Sequence, residues 1–147
     1  MKSIFKGKVY ADYYTFYLQD ASVTPNYEAL ANPQDFEKMI AVGEQVLHIT
    51  TVRYDTVPVS ITLFEREPQL KLSTCNRANE ASLHISTQLL LGNVISGFQT
   101  LALPISIYRV RVLYKNLKAL EGASKAKDRY SLQLWREETL RETLYLK

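Results

Sequence analysis

The sequence contains few side chains that could catalyse a reaction, and the best nucleophile among them is its single cysteine, Cys75. Arg77 follows two residues later and would favour the thiolate form of that cysteine. The histidines that could serve as a base, His48 and His84, lie in separate strand-like stretches. Because spacing alone rarely predicts such a pair, we interpret Cys75 as an incidental loop cysteine and rank a cysteine-based enzyme third among the function classes.

Other catalytic and metal-binding patterns are missing from the sequence. The histidines and the cysteine do not have the short, fixed spacing of a zinc site, and there is neither a glycine-rich phosphate loop nor a Gly-x-Ser-x-Gly turn. Glu65 and Glu67 flank Arg66, which is typical of a solvated strand end, whereas a glycosidase needs two acids from separate elements. We therefore predict a non-enzymatic protein with no metal, no cofactor and no catalytic residues.

The sequence has more side chains suited to binding a partner than to catalysis. Arg109 and Arg111 share one face of a predicted strand, and Gln133 is expected beside them on the neighbouring strand. Two guanidinium groups side by side can bind carboxylates or phosphates in a bidentate manner. The alternative, which is common in sheets and which we favour, is that they pair with acids on adjacent strands. Trp135 ends its strand and either caps the core, the more frequent case, or anchors an interface.

Charge is distributed unevenly along the chain. Residues 20–44 hold one base, Lys38, and five acids: Asp20, Glu28, Asp35, Glu37 and Glu44. The last thirty residues lean basic, with Lys118, Lys125, Lys127, Arg129, Arg136, Arg141 and Lys147. Patches of opposite sign can steer a partner, although a mixed solvated surface is the more common explanation of such a pattern.

Length and composition indicate one globular domain, residues 1–147. The chain is long enough to bury a core without disulfides, and 46% of its residues are hydrophobic against 22% charged. One cysteine allows no internal disulfide and suits a reducing compartment. The sequence shows no signal peptide and no apolar stretch that would span a membrane, so a cytoplasmic location is expected. A net charge of +3 is low for a nucleic-acid-binding domain.

Alternating apolar and polar residues predict strands along most of the chain. Residues 4–18, 46–53, 56–65, 81–87, 98–103, 105–114 and 130–134 show this pattern, and residues 89–97 are ambiguous between a turn and a strand. The clearest strand has Tyr108, Val110, Val112 and Tyr114 on one face. Pro58 suggests that its strand lies at an edge or begins irregularly.

One short helix is expected at residues 34–42. Asn32 is placed to cap it, Pro33 suits its first position, and Gly43 suits its end. Residues 20–33 read as a loop, and residues 136–147 as a helical or frayed tail. The resulting fold prediction is mainly β, an antiparallel two-sheet sandwich of seven or eight strands with one short helix.

Two segments carry a resemblance to a known group of proteins. Residues 108–117 (YRVRVLYKNL) and 128–135 (DRYSLQLW) resemble the closing hairpin of small bacterial β-sandwich proteins of the competence protein J kind. Members of that group include an inhibitor of a DNA-entry nuclease, and others look like immunity proteins encoded beside toxins. The resemblance covers about a third of the chain, from residue 81 to residue 135. It implies a sandwich fold and a protein partner.

We therefore predict a protein-binding module, an inhibitor or immunity protein for a bacterial toxin or nuclease. The candidate contact residues are Glu28, Asp35 and Glu37, with Arg109 and Arg111 as a further set. The net charge is opposite to that of most nuclease inhibitors, but residues 20–44 supply a local acidic patch. The alternative is a ligand- or nucleic-acid-binding β module that uses the two arginines and surface tyrosines.

Overall fold

The structure is a computed structural model that describes residues 1–30, 32–117 and 127–147. Lys118 and Lys125 of the predicted basic C-terminal stretch lie outside the described residues. Two sheets face each other across the core. Their strands are β1 (Lys2–Tyr10), β2 (Thr15–Asp20), β3 (Ile40–Gly43), β4 (Val46–Thr50), β5 (Thr56–Leu63), β6 (Arg77–Ile85), β7 (Leu89–Asn93), β8 (Gly97–Leu101), β9 (Ser106–Lys115), β10 (Arg129–Glu137) and β11 (Leu144–Tyr145).

Sheet A has six strands in the order β1-β5-β10-β9-β6-β11. Its centre is the hairpin-like pair β9 and β10, in which Tyr130 lies opposite Tyr114. Strands β5 and β10 run parallel, so the sheet is mixed rather than wholly antiparallel. β5 is consequently an interior strand, and the suggestion of an edge from Pro58 is wrong. The proline is tolerated there because pairing with β10 begins at the next residue, Val59.

Sheet B has five antiparallel strands in the order β3-β4-β2-β7-β8. The β7–β8 hairpin turns at residues 94–96, and Gly92, which pairs with Phe98 within the hairpin, has φ +150°. A Cβ atom at this glycine would lie 2.1 Å from the carbonyl oxygen of Gly97, so no larger residue fits without moving the hairpin. The ambiguous stretch of residues 89–97 is therefore a strand followed by a tight turn.

The core lies between the two sheets and follows the predicted alternation. Tyr108, Val110, Val112 and Tyr114 of β9 all point into it and are fully buried, as the sequence pattern predicted. Side chains of sheet B, such as Phe16 of β2, pack against them from the other side. The two-layer sandwich and the mainly β composition are thus confirmed, since one face of each sheet has been removed from water.

Two short helices, rather than one, connect β2 to β3. They are α1 (Tyr27–Leu30), within the predicted loop, and α2 (Pro33–Lys38). The predicted cap of α2 is present, because the Asn32 side chain accepts a hydrogen bond from the Asp35 backbone N–H at 3.0 Å. The helix ends earlier than predicted: Met39 adopts a left-handed conformation with φ +63°, and β3 begins at once.

The described residues contain eleven strands instead of seven or eight. The stretch of residues 4–18 is two strands, and β3 occupies residues assigned to the helix. The C-terminal segment 136–147 is neither helical nor frayed, because β10 extends to Glu137 and β11 pairs with β6 through Leu144 and Glu80. In the described part of the chain, neither helix has the length or apolar character needed to cross a bilayer.

Candidate functional site

The two helices of the acidic segment of residues 20–44, α1 and α2, lie over the outer face of sheet B. Leu30 of α1 packs on Tyr17 and Val46, and the Tyr27 ring meets the Tyr17 ring edge-on with centroids 4.7 Å apart. The Tyr27 hydroxyl donates a hydrogen bond of 2.9 Å to Gln19. Short helices of four and six residues are unstable alone, so this aromatic base is what holds them in place.

His48 lies at the centre of the same base, between the rings of Tyr17 and Phe36. Only 1% of its surface is exposed, and its Nε2 lies 3.3 Å from the Thr15 hydroxyl, while its Nδ1 has no hydrogen-bond partner among the described residues. Burial lowers the pKa of His48, so the ring is neutral at physiological pH. Burial, together with the negative potential of nearby groups, raises the pKa of Tyr17 to about 12. The base of the helices is therefore uncharged.

Asp20 has a structural rather than a partner-binding position. Its carboxylate is fully buried and accepts hydrogen bonds from the backbone and hydroxyl groups of Ser22, Ser86 and Thr87. Burial works to raise the pKa of Asp20, but these hydrogen bonds outweigh it and hold the pKa well below its usual range. The side chain fixes the end of β2 to the β6–β7 turn, at the point where the acidic segment begins.

The other acids of the segment point outward. Glu28 and Glu37 are exposed on α1 and α2, and Asp35 is half-buried against Asn32. Glu44, in the β3–β4 turn, lines a shallow hollow beside α1. The one base of the segment, Lys38, is turned to the Tyr145 ring, with its Nζ 4.4 Å from the ring centroid. Three of the predicted contact residues thus share one helical cover with an excess of negative charge.

Arg109 and Arg111 are buried, with 0% and 1% of their surfaces exposed. Glu80 on β6 binds both of them, through Oε1 to Arg109 Nε at 3.2 Å and through Oε2 to Arg111 Nε at 2.9 Å. Arg111 also donates to Gln133 at 3.2 Å, as the predicted register required. The interpretation of these arginines as partners of cross-strand acids is the one that the structure supports.

The remaining donors of the two arginines hold the segments that cover sheet A. Arg109 donates to the backbone carbonyl of Glu142 at 2.8 Å, and Arg111 to that of Pro68 at 2.9 Å. The Arg111 guanidinium also stacks on the buried Trp135 ring at 4.9 Å. Both guanidinium groups are buried beneath these segments. Both are therefore placed to organise the cover of the sheet, and a partner would have to displace that cover to reach them.

The residues considered for catalysis lie on different elements, since Cys75 precedes β6, His48 is on β4 and His84 is on β6. Cys75 is buried in a small apolar cluster with Ala78 and Leu113, and its sulfur lies 3.5 Å from the Leu72 carbonyl. No group of three or more His, Cys, Asp or Glu side chains among the described residues is arranged to hold a metal ion. Glu67 lies 3.7 Å from Arg111 at the rim of the buried pair.

A cluster of four tyrosines is the feature that the sequence analysis did not locate. Tyr54 lies at its centre, with ring centroids 5.3 Å from Tyr13, 5.7 Å from Tyr14 and 6.2 Å from Tyr10. The available signal was the high tyrosine content, ten residues in the chain. The position of the cluster was not predicted, because residues 13 and 14 form a turn inside a stretch whose sequence is typical of one continuous strand.

Comparison with known proteins identifies the fold. No family model matches the sequence, and no curated protein matches it. The solved structure of ComJ from Bacillus subtilis, described as an inhibitor of the DNA degrading activity of NucA, superposes with a TM-score of 0.72 and 15% identity over 92% of this chain and 98% of that one. The structure described as crocagin biosynthetic gene J gives a TM-score of 0.61 and 14% identity over 94% and 98% of the two chains. The chain therefore has the fold of ComJ along nearly its whole length, and the resemblance predicted from its closing hairpin is confirmed.

Proposed function

We propose that this protein is a non-enzymatic inhibitor that binds a nuclease or toxin through its acidic helical cover. The observation that carries the proposal is the arrangement of Glu28, Asp35, Glu37 and Glu44 on α1, α2 and the adjoining turn, above an uncharged aromatic base. The likeness to an inhibitor of a DNA-degrading activity supports the same class of function.

Charge complementarity gives the reason for choosing this surface. A nuclease presents a basic cleft to its substrate, and an acidic surface on an inhibitor is attracted to the same cleft. The net charge of the chain is +3, so the whole molecule does not supply that attraction. The cover supplies it locally, because its carboxylates outnumber its one cation, Lys38, and those of Glu28 and Glu37 are exposed.

The test is a charge reversal in the cover. The variant Glu28→Lys/Glu37→Lys changes exposed residues that make no described ion pair, so it should fold normally. The tagged protein is used to recover its partner from the native lysate after nuclease digestion, and the affinity for the recovered protein is measured by calorimetry. We expect a loss of about a hundredfold or more, since like charges across an interface cost several kcal/mol and each 1.4 kcal/mol is about a factor of ten.

The matched control is Glu65→Lys/Glu138→Lys, which makes the same change in net charge at exposed sites away from the helices. An equal loss of affinity in both variants would mean that overall charge, not the cover, attracts the partner. Unchanged affinity in Glu28→Lys/Glu37→Lys would reject the cover as the contact surface. Adding Asp35→Asn, which keeps the side-chain shape next to Asn32, extends the test to the third predicted residue.

A further inference from the structure

A second charged surface lies on the uncovered part of the outer face of sheet A. Lys6 and Lys8 project from β1, Lys115 from the end of β9 and Arg129 from the start of β10. The four side chains line one shallow hollow with a cavity volume of about 330 Å³, whose floor includes Pro58, Ser60 and Ser131. They come from three strands and do not form a continuous basic run in the sequence.

These four cations are not neutralised by acids among the described residues. The ion pairs present there involve Arg53, Arg109, Arg111 and Arg141, and none involves a residue of the hollow. The neighbouring positions on β5 and β10 are Pro58, Ser60 and Ser131, which carry no charge. The hollow is therefore a local positive field on a protein whose net charge is modest.

The basic row continues directly into the tyrosine cluster. On β1, Lys6, Lys8 and Tyr10 alternate along the outward side, while Val9 points into the core. At a rise of about 3.3 Å per residue, the row from Lys6 to Tyr10 is about 13 Å long. The Tyr10 ring then contacts the Tyr54 ring edge-on, which joins the positive hollow to the aromatic rings.

The tyrosine rings at the end of this row are exposed to solvent. Tyr13, Tyr14 and Tyr54 are 71%, 45% and 44% exposed. Tyr13 and Tyr14 have left-handed backbone conformations with φ +49° and +63°, which bulky side chains disfavour. The Tyr54 hydroxyl donates a hydrogen bond of 2.7 Å to Asp12, which fixes its ring. Backbone strain that keeps large rings in solvent is typical of a binding surface.

We propose that this face binds single-stranded nucleic acid, with Lys6, Lys8, Lys115 and Arg129 on the phosphates and the tyrosine rings stacked on unpaired bases. Single strands are bound in this way because their bases expose aromatic faces next to a charged backbone. A duplex would satisfy the cations but not the rings, and an acidic protein would likewise leave the rings without stacking partners. The proposal does not depend on the inhibitor function, since it uses the opposite sheet.

The experiment is a fluorescence anisotropy titration of the purified protein with a labelled oligothymidylate of about 16 nucleotides. We expect binding at about 50 mM salt that weakens steeply by about 200 mM. The plot of log K against log salt should have a slope of about −3, because four phosphate contacts on a single strand contribute about 0.7 each. An unlabelled duplex of the same length should compete poorly.

Two variants separate the two parts of the face. Lys6→Gln/Lys8→Gln should reduce the slope by about 1.4. Its control is Arg66→Gln/Lys71→Gln, which removes the same charge from exposed positions outside the face and should leave the slope unchanged. Tyr13→Asn removes a ring but suits the left-handed turn, and it should weaken binding about tenfold with no change in slope.

Three results would overturn the proposal. The first is no binding at about 50 mM salt. The second is an equal reduction in the slope for the control and the lysine variant. The third is a pair of results: polyglutamate competes as strongly as the oligonucleotide, and Tyr13→Asn binds like the wild type. Together they would mean that the face binds anions in general and does not stack on bases.

Discussion

The two outer faces of the sandwich are covered in different ways. On sheet A the cover is formed by the chain segments before β6 and after β10, held by charged hydrogen bonds from Arg109 and Arg111. On sheet B the cover is formed by two short helices, whose Tyr27 and Phe36 rings pack against Tyr17 and His48 of the sheet. Both covers exclude water, but one does so with buried ions and the other with neutral rings.

The two covers therefore differ in the kind of substitution that they tolerate. A buried ion network is sensitive to removal of a single charge, because the remaining charges stay buried without compensation. An aromatic base loses only one contact or hydrogen bond when a polar atom is removed. Large electrostatic effects on stability are therefore expected on sheet A, and small ones on sheet B.

Glu80→Gln should have the largest effect on stability. It removes the one carboxylate that both arginines share and leaves two buried guanidinium groups facing a neutral amide. We expect the free energy of unfolding to fall by about 3–5 kcal/mol, measured by urea denaturation. The control Glu67→Gln removes an exposed partner 3.7 Å from Arg111 and should cost less than about 1 kcal/mol. Similar losses in the two variants would contradict a buried network.

Asp20→Asn should have an intermediate effect with a defined pH dependence. It replaces a carboxylate that accepts charged hydrogen bonds from Ser86 and Thr87, at a cost of about 2–3 kcal/mol at neutral pH. Because the folded-state pKa of Asp20 is depressed, its stabilisation is fully present above its unfolded pKa of about 4 and is lost as the pH falls through the folded value. The difference between wild type and variant should therefore shrink in acid, and a constant difference from pH 7 to pH 2 would refute this account.

Tyr27→Phe should have the smallest effect of the three. The ring stays on Tyr17, and only the hydrogen bond to Gln19 is lost, which should cost about 1 kcal/mol in thermal or urea unfolding. Tyr54→Phe is the matched control at an exposed tyrosine, where the hydrogen bond to Asp12 is in contact with water. If Tyr27→Phe lowered the free energy of unfolding as much as Glu80→Gln, the cover of sheet B would be as sensitive to substitution as that of sheet A.

The sequence predicted the elements whose patterns are long. The alternation of β9 placed Tyr108, Val110, Val112 and Tyr114 in the core correctly, and the Asn32 cap fixed the start of α2. β3 and β11 were missed because four and two residues hold too little periodicity to distinguish a strand from a helix or a tail. Their pairing with β4 and β6 is decided by contacts across the fold.

The candidate sites were predicted less completely than the fold. Alternation placed Arg109 and Arg111 on the same outward face, but their burial depends on segments that lie more than twenty residues away in sequence. The basic hollow could not be predicted, since Lys6, Lys115 and Arg129 meet only through the pairing of β5 with both β1 and β10. Local sequence patterns describe one strand at a time, whereas these surfaces belong to several.

The short strand β11 also has a consequence for self-association. An unpaired strand at the edge of a sheet exposes backbone N–H and C=O groups that can pair with another molecule and seed aggregation. Here Leu144 and Tyr145 pair with β6, and Leu146 and Lys147 exchange further backbone hydrogen bonds with Ala78. The C-terminal segment thus covers the edge of β6. A chain that lost this segment by proteolysis would expose the backbone N–H and C=O groups of β6, which could pair with the edge of another molecule.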